Sequence, residues 1–317
     1  MKATDATKGP AVKAVRRLAK DRSAAVRIHP VVIYPFRLNS GYADLTRLFD
    51  YLGGLAGQGE SFVRPLTVID RKTHFKMAGD EEYTRFRESV VARVSDIVDA
   101  WCVDTCQMWY TGLGVAHEKG KPGDIYWLIP GDFDYASPAG QDTLGRLHDL
   151  PAICEELGQD VCVGEIEVGV GHPKQLIDAH GTFALLYNWF PAEAREIRAY
   201  TERPRSEFFA VRHEFLGEML QRRWYAYEQT MVVLLHAVFS GKRITRFSVG
   251  SLTDLPEGRE SLASAIQQVE RTERVLKSMW RERNGARAGW IEHYRKLEVG
   301  SESIRRSATT VLERLLG

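Results

Sequence analysis

The sequence has no excess of either charge: 43 Lys and Arg stand against 42 Asp and Glu, a formal net charge of +1. Nucleic-acid binders usually carry a basic surplus, so this balance argues against that class. There is no apolar run approaching the roughly 20 residues of a membrane span, and no secretory core opens the chain. The expectation is a soluble, cytoplasmic protein with at most peripheral membrane contact. Cysteine is scarce, and Cys102, Cys106, Cys154 and Cys162 follow neither zinc nor redox spacing. They read as small buried thiols in a reducing compartment, with Cys102 and Cys106 four apart on one face of an expected helix. What the chain does have is 317 residues at 44% hydrophobic, enough to bury a large core as one α/β domain with an appendage or as two domains.

Charge is uneven locally. Lys2, Lys8, Lys13, Arg16, Arg17, Lys20, Arg22 and Arg27 face Asp5 and Asp21 alone. Residues 1–27 read as a flexible basic arm, with attachment to anionic lipid or to a partner as the alternative. After it, strand and helix patterns alternate. Strands are expected at 31–34, 63–69, 125–129, 161–168 and 242–249, with a further apolar run at 206–211. Helices are expected at 45–55, 80–102, 108–119, 140–157, 174–189 and 212–240, the second with Phe86, Val90, Val94 and Val98 along one face. Interleaving of this kind predicts a mostly parallel, Rossmann-like sheet with helices on both faces over 28–260. From 261 to 317 the pattern is only helical, an extension that packs on the sheet domain or on a second subunit as a homodimer surface.

In such sheets ligands bind outside the carboxyl ends of the strands. The strand at 125–129 stops at Pro130-Gly131 and is followed by Asp132 and Asp134. Carboxylates at i and i+2 can reach one hard divalent ion through oxygen ligands. An Asx turn closing the strand is the alternative, because Asp is an ordinary turn former. Asp70 closes the second strand.

Four stretches together carry a resemblance. GLGVAHEKGKPGDIYWLIPGDFDY (112–135) resembles the nucleotide-binding half of GT-A-fold glycosyltransferases, where a helix precedes the strand that presents an Asp-x-Asp metal motif. RPRSEFFAVRHEFL (203–216) and WYAYEQTMVVLLHAVFSGKRITRFSV (224–249), followed by DLPEGRES (254–261), fall in the order of family 2 enzymes similar to dolichyl-phosphate mannose synthase. The similarity covers roughly residues 28–265, in pattern and order more than identity. Departures accompany it. The family's Pro-x-x-Asn-Glu becomes Pro35-Phe36-Arg37-Leu38-Asn39, with Asn one place late and no Glu. The second strand keeps one Asp, Asp70, and Glu207 stands where the family has glycine.

The resemblance implies a metal-dependent, inverting transfer of sugar from a nucleoside-diphosphate sugar to a small-molecule, glycan or lipid-phosphate acceptor. Asp132 and Asp134 would hold Mg²⁺ or Mn²⁺. Asp70 would meet the base or ribose, Pro35 and Asn39 would line the donor loop, and Lys174, Arg203 and Arg205 would meet the phosphates. Glu228, in an aromatic helix start, and Glu207 are the candidate bases; Glu228 paired with Arg222 or Arg223 is the bland alternative. A sugar-phosphate nucleotidyltransferase and a non-catalytic scaffold on a degenerate transferase fold are the other readings of the same pattern.

Overall fold

The computed structural model describes residues 26–34, 42–57, 61–102, 105–168, 172–222, 229–253 and 261–316. Pro35, Asn39, Glu228 and all of the basic arm but its last two residues lie outside them. The strands are β1 (Ile28–Tyr34), β2 (Leu66–Asp70), β3 (Asp96–Ala100), β4 (Ile125–Pro130), β5 (Val161–Ile166), β6 (Phe208–Arg212) and β7 (Ile244–Gly250). The helices are α1 (Ala43–Gly57), α2 (Arg71–Met77), α3 (81–94), α4 (Thr105–Lys119), α5 (Pro138–Leu147), α6 (Asp149–Glu156), α7 (173–189), α8 (Pro191–Tyr200), α9 (His213–Gln221), α10 (Gln229–Phe239), α11 (Leu262–Asn284) and α12 (Trp290–Leu316). α3 and α7 each contain a wider π-helical turn, at Arg87–Val91 and Ile177–Thr182.

The strands form one sheet in the order β3-β2-β1-β4-β6-β5-β7. Neighbours run parallel except at β6, which is antiparallel to both β4 and β5. This is the mostly parallel, helix-covered, GT-A-like sheet that the alternating pattern predicts. Side chains of successive strand residues point to opposite faces. Val31, Ile33, Tyr126 and Leu128 therefore enter one core with α4 and α7 to α12, while Val32, Ile125, Trp127 and Ile129 enter another with α1, α3, α5 and α6. All six residues of β4 are buried, as a strand covered on both faces requires.

Gly112 shows why a glycine is tolerated inside α4. A Cβ there would lie 2.6 Å from Val68 Cγ2 and 2.8 Å from Val31 Cγ1, so its absence lets the helix lie directly on β1 and β2. α11 and α12 pack on each other and on α7, and Val269, Leu276, Ala308 and Leu312 join the same core as Leu185 and Leu186. Trp189 Nε1 donates to Ser301 Oγ at 3.2 Å, and Asn188 Nδ2 to the Leu297 carbonyl at 2.8 Å. Of the two surfaces expected for these helices, they occupy the sheet domain's.

Several expected elements are corrected. The helix predicted over 80–102 ends at Val94, and 96–100 is edge strand β3. Ser95 makes the break: its Oγ lies 2.6 Å from Thr67 Oγ1 and donates to the Pro65 carbonyl at 3.1 Å, pinning the chain beside β2. Cys102 thus follows a strand while Cys106 lies in α4, so they share no helix. The helix expected over 140–157 is two, α5 and α6, and the one over 212–240 is also two, α9 and α10. α8 fills a stretch assigned no element. Cys102, Cys154 and Cys162 are buried free thiols, and burial pushes Cys154 up to about 12, which keeps it protonated and inert. No helix among the described residues is long and apolar enough to cross a membrane.

Candidate functional site

β1, β2, β4 and β5 end at one edge of the sheet, and antiparallel β6 begins there. The segment after β4 is held at that edge by its own backbone. Gly131 N donates to the Ile33 carbonyl at 2.8 Å, Asp134 N to the Thr253 carbonyl at 2.8 Å, and Tyr135 Oη to the Pro130 carbonyl at 2.6 Å. Asp134 Oδ1 accepts from Ala136 N at 3.1 Å and Ser137 N at 2.8 Å, and Ser137 Oγ in turn caps α5 by accepting from Gly140 N at 3.1 Å. A Cβ on Gly140 would stand 2.1 Å from the Asp134 carbonyl oxygen, so only glycine lets α5 start this close. The Asx-turn reading and the metal reading are therefore compatible: Asp134 uses one carboxylate oxygen in the turn.

Its carboxyl also meets Asp44, in the first turn of α1. Burial, then the charge of Asp134 and a hydrogen bond with it, push Asp44 above the ordinary carboxylate range. A cation beside the pair would relieve that repulsion. Asp132 is half-buried, and its Oδ1 is shielded from solvent. Burial, then the charges of Asp132 and of Glu207, push the Tyr135 hydroxyl well above its usual value, so both acids lie within electrostatic reach of it. Asp44, Asp132 and Asp134 offer hard carboxylate oxygens of the type that suits Mg²⁺ or Mn²⁺. Among the described residues no three acidic, His or Cys side chains already surround one point as a closed metal cage.

Cations approach from α7. His172 caps it, its Nδ1 accepting from Lys174 N at 3.2 Å. Lys174 is 7% exposed, with Nζ 4.5 Å from the centroid of Phe133, the middle residue of the Asp-Phe-Asp segment. One turn on, in the π-helical turn, Asp178 anchors both expected arginines, with Arg203 Nε 2.8 Å from Oδ2 and Arg205 Nε 2.8 Å from Oδ1. Arg203 also reaches the Ile166 carbonyl at 3.5 Å, and Arg205 bonds Gln268. The two arginines are thus not separate cations but members of a buried cluster of two positive groups and one negative.

The structure brings Asp132, Asp134, Lys174 and Glu207 to one place, with Phe133 against Phe208 at 5.4 Å between ring centroids. Asp70 stands apart, two strands from β4, and caps α2 by accepting from Lys72 N at 3.2 Å. Asp44 and Asp178 were not anticipated. An acid in the first turn of the helix after β1 was the available signal for the former; the i, i+4 spacing of Lys174 and Asp178 was the signal for the latter.

No protein-family model matches the chain, and no curated protein matches it in sequence. Solved structures do. The glucosyl-3-phosphoglycerate synthase of Mycobacterium tuberculosis, in complex with Mn²⁺, UDP-glucose and phosphoglyceric acid, is similar with a TM-score of 0.56 at 14% identity over 85% of this chain and 83% of that one. The same enzyme with Mn²⁺, UDP and glucosyl-3-phosphoglycerate gives 0.55 at 14% over 90% and 88%. A mycobacterial protein gives 0.58 at 13% over 87% and 80%. At such identity the likeness establishes the fold.

Proposed function

We propose that this chain is a metal-dependent glycosyltransferase that moves a sugar from a nucleoside-diphosphate sugar to an acceptor hydroxyl, with inversion. The observation that carries it is the Asp132-Phe133-Asp134 segment, clamped at the carboxyl end of β4 with Asp44 against one acid and Lys174 over the intervening ring. The similar solved enzymes, which hold Mn²⁺ and UDP-glucose, support the same donor class. The finer kinship to dolichyl-phosphate mannose synthase-like family 2 enzymes rests on the sequence motifs.

Asp132, Asp134 and Asp44 would hold Mg²⁺ or Mn²⁺, which when bound neutralises the diphosphate leaving group. Lys174 and the net positive Arg203–Asp178–Arg205 cluster supply fixed positive potential beside it. Asp70 is assigned to the base or ribose, and Pro35 and Asn39 to the donor loop. In transfer, the acceptor oxygen bonds to the anomeric carbon as the carbon–oxygen bond to the diphosphate breaks, and the diphosphate leaves with the bonding pair. Glu207, which like Asp132 lies within electrostatic reach of Tyr135, takes the hydroxyl proton; Glu228 is the alternative base. Self-association through α12, where Ile291 and Val299 are exposed, belongs to the same proposal.

Calorimetric titration with UDP, GDP and their glucose and mannose conjugates, each with Mn²⁺ and with EDTA, tests this reading. Metal-dependent binding of one nucleotide is expected, and Asp134→Asn should abolish it while the amide oxygen still accepts in the turn. A folded protein that binds none of them overturns the proposal.

A further inference from the structure

A cavity of about 610 Å³ opens at the carboxyl ends of β5 and β7, between them and helices α7 and α8. That is the size of a small-molecule site. Six charged side chains line it, Glu165, Glu167, Glu202, Arg198, Arg203 and Arg246. It adjoins the candidate site, because Gln175 on its wall follows Lys174, and Arg203 reaches it while bonded to Asp178.

Every guanidinium on the wall is already answered by a carboxylate. Arg198 Nη2 lies 3.1 Å from Glu202 Oε2, Arg203 Nε 2.8 Å from Asp178 Oδ2, and Arg246 Nη1 3.5 Å from Glu165 Oε2. The carboxylates are held in turn. Glu165 Oε1 accepts from Thr201 Oγ1 at 3.2 Å and Glu202 N at 2.9 Å, and Glu167 Oε1 accepts from Ser248 Oγ at 2.6 Å. An anion entering here would meet guanidiniums whose charge is already balanced while facing three carboxylates. A hydroxyl, which both donates and accepts, can use the remaining lone pairs and N–H groups without breaking any pair.

We propose that this cavity binds a neutral, polyhydroxylated molecule of the sugar class, and that it is the acceptor side of the transfer. The second half rests on the glycosyltransferase reading above; the first half does not. Glu167 is the residue to change, since it is exposed at the end of β5 and its loss leaves the core untouched.

Ligand-observed saturation-transfer NMR on the full chain, with methyl α-glucoside, maltose and 3-phosphoglycerate as probes, would be run beside UDP titration in Mn²⁺. The sugars are expected to bind and 3-phosphoglycerate not to. Glu167→Gln should weaken sugar binding about tenfold, the scale of a hydrogen bond to a charged group, and leave UDP binding unchanged. Glu202→Gln, a second exposed position, should weaken it in the same direction. Tighter binding of 3-phosphoglycerate than of either sugar overturns the inference, as does sugar binding that neither variant alters. UDP binding with no sugar binding also sinks it while sparing the donor reading. Sugar binding without any nucleotide binding sinks the donor reading and leaves the cavity's ligand class standing.

Discussion

Two aspartates flank β4, and the protein treats them in opposite ways. Asp124, at the amino end, is 1% exposed, and its Oδ2 lies 2.8 Å from Arg27 Nη2, 2.8 Å from His29 Nε2 and 3.0 Å from Lys121 N. Burial alone would raise it, but the hydrogen bonds from Arg27 and His29 outweigh burial and hold it below the ordinary carboxylate range. Asp134, past the carboxyl end, meets another acid, Asp44, which is held above that range. At one end the carboxylate meets Arg27 and His29; at the other it meets backbone N–H groups and a second acid, as the proposed metal role requires. On the proposed function, that difference of neighbours, more than the difference between buried Asp124 and half-buried Asp134, separates a structural acid from a functional one.

The sharpest way to break the comparison is Asp124→Ala. It strands buried His29 and one-third-exposed Arg27 beside a cavity, and removing one partner of such a pair costs roughly 3–5 kcal/mol. Denaturant unfolding should show that loss, whereas Asp132→Asn should shift stability by less than about 1 kcal/mol. Equal costs would mean that both ends are structural. Gly140→Ala comes next. Its Cβ would press on the Asp134 carbonyl, and relieving such a clash costs about 2 kcal/mol. The displaced turn should also weaken Mn²⁺-dependent nucleotide binding, while the matching change at Gly114 in α4, where a Cβ meets nothing within 4 Å, should leave binding untouched and raise stability by about 0.5–1 kcal/mol.

What the sequence displayed of this arrangement follows from how each feature is encoded. β4 was legible because five consecutive apolar residues bounded by Asp124 and Pro130 suit a strand buried on both faces, and Asp132 and Asp134 follow its stop directly. β3 was not, because Val94 and Val98 repeat at helical spacing, and an edge strand takes its identity from pairing with β2, which only the folded chain supplies. The antiparallel sense of β6 is likewise a tertiary fact. Asp44 lies 90 residues before Asp134, so no local pattern joins them. Arg203 and Arg205 looked like available cations because Asp178, which anchors both, lies 25 and 27 residues earlier, in α7, while they stand in the turn between α8 and β6.

Acid sharpens the comparison from the amino end. Burial pushes His29 down despite the opposing pull of Asp124, and burial with the charge of His213 pushes His117 down. A base whose folded pKa lies below its unfolded value binds fewer protons when folded. Its stabilising share is therefore full above about pH 6.5 and is lost as pH falls from there through the folded pKa. Each histidine contributes a slope of up to about 1.4 kcal/mol per pH unit within that window. Unfolding free energies between pH 7.5 and 5 should fall accordingly, and His29→Gln should flatten part of the slope. An unchanged slope would mean that the protonated ring is as well accommodated as the neutral one.

The smallest effect on stability decides the most about function. Asp44 sits beside Asp134 and is held above the ordinary carboxylate range by burial and then by that neighbour's charge, an arrangement that costs stability at neutral pH. Asp44→Asn should therefore raise stability by about 0.5 kcal/mol, on the scale of an exposed-to-half-buried charge pair, while an amide still donates to Asp134. The same change should sharply weaken Mn²⁺-dependent UDP binding, since it removes one of the three acids at the turn. A gain in stability coupled to a loss of binding is what an acid kept for a ligand produces. If the variant instead loses stability and binds UDP and Mn²⁺ as before, the contact between the two carboxyls is structural alone, and the carboxyl end of β4 is no different in kind from the amino end.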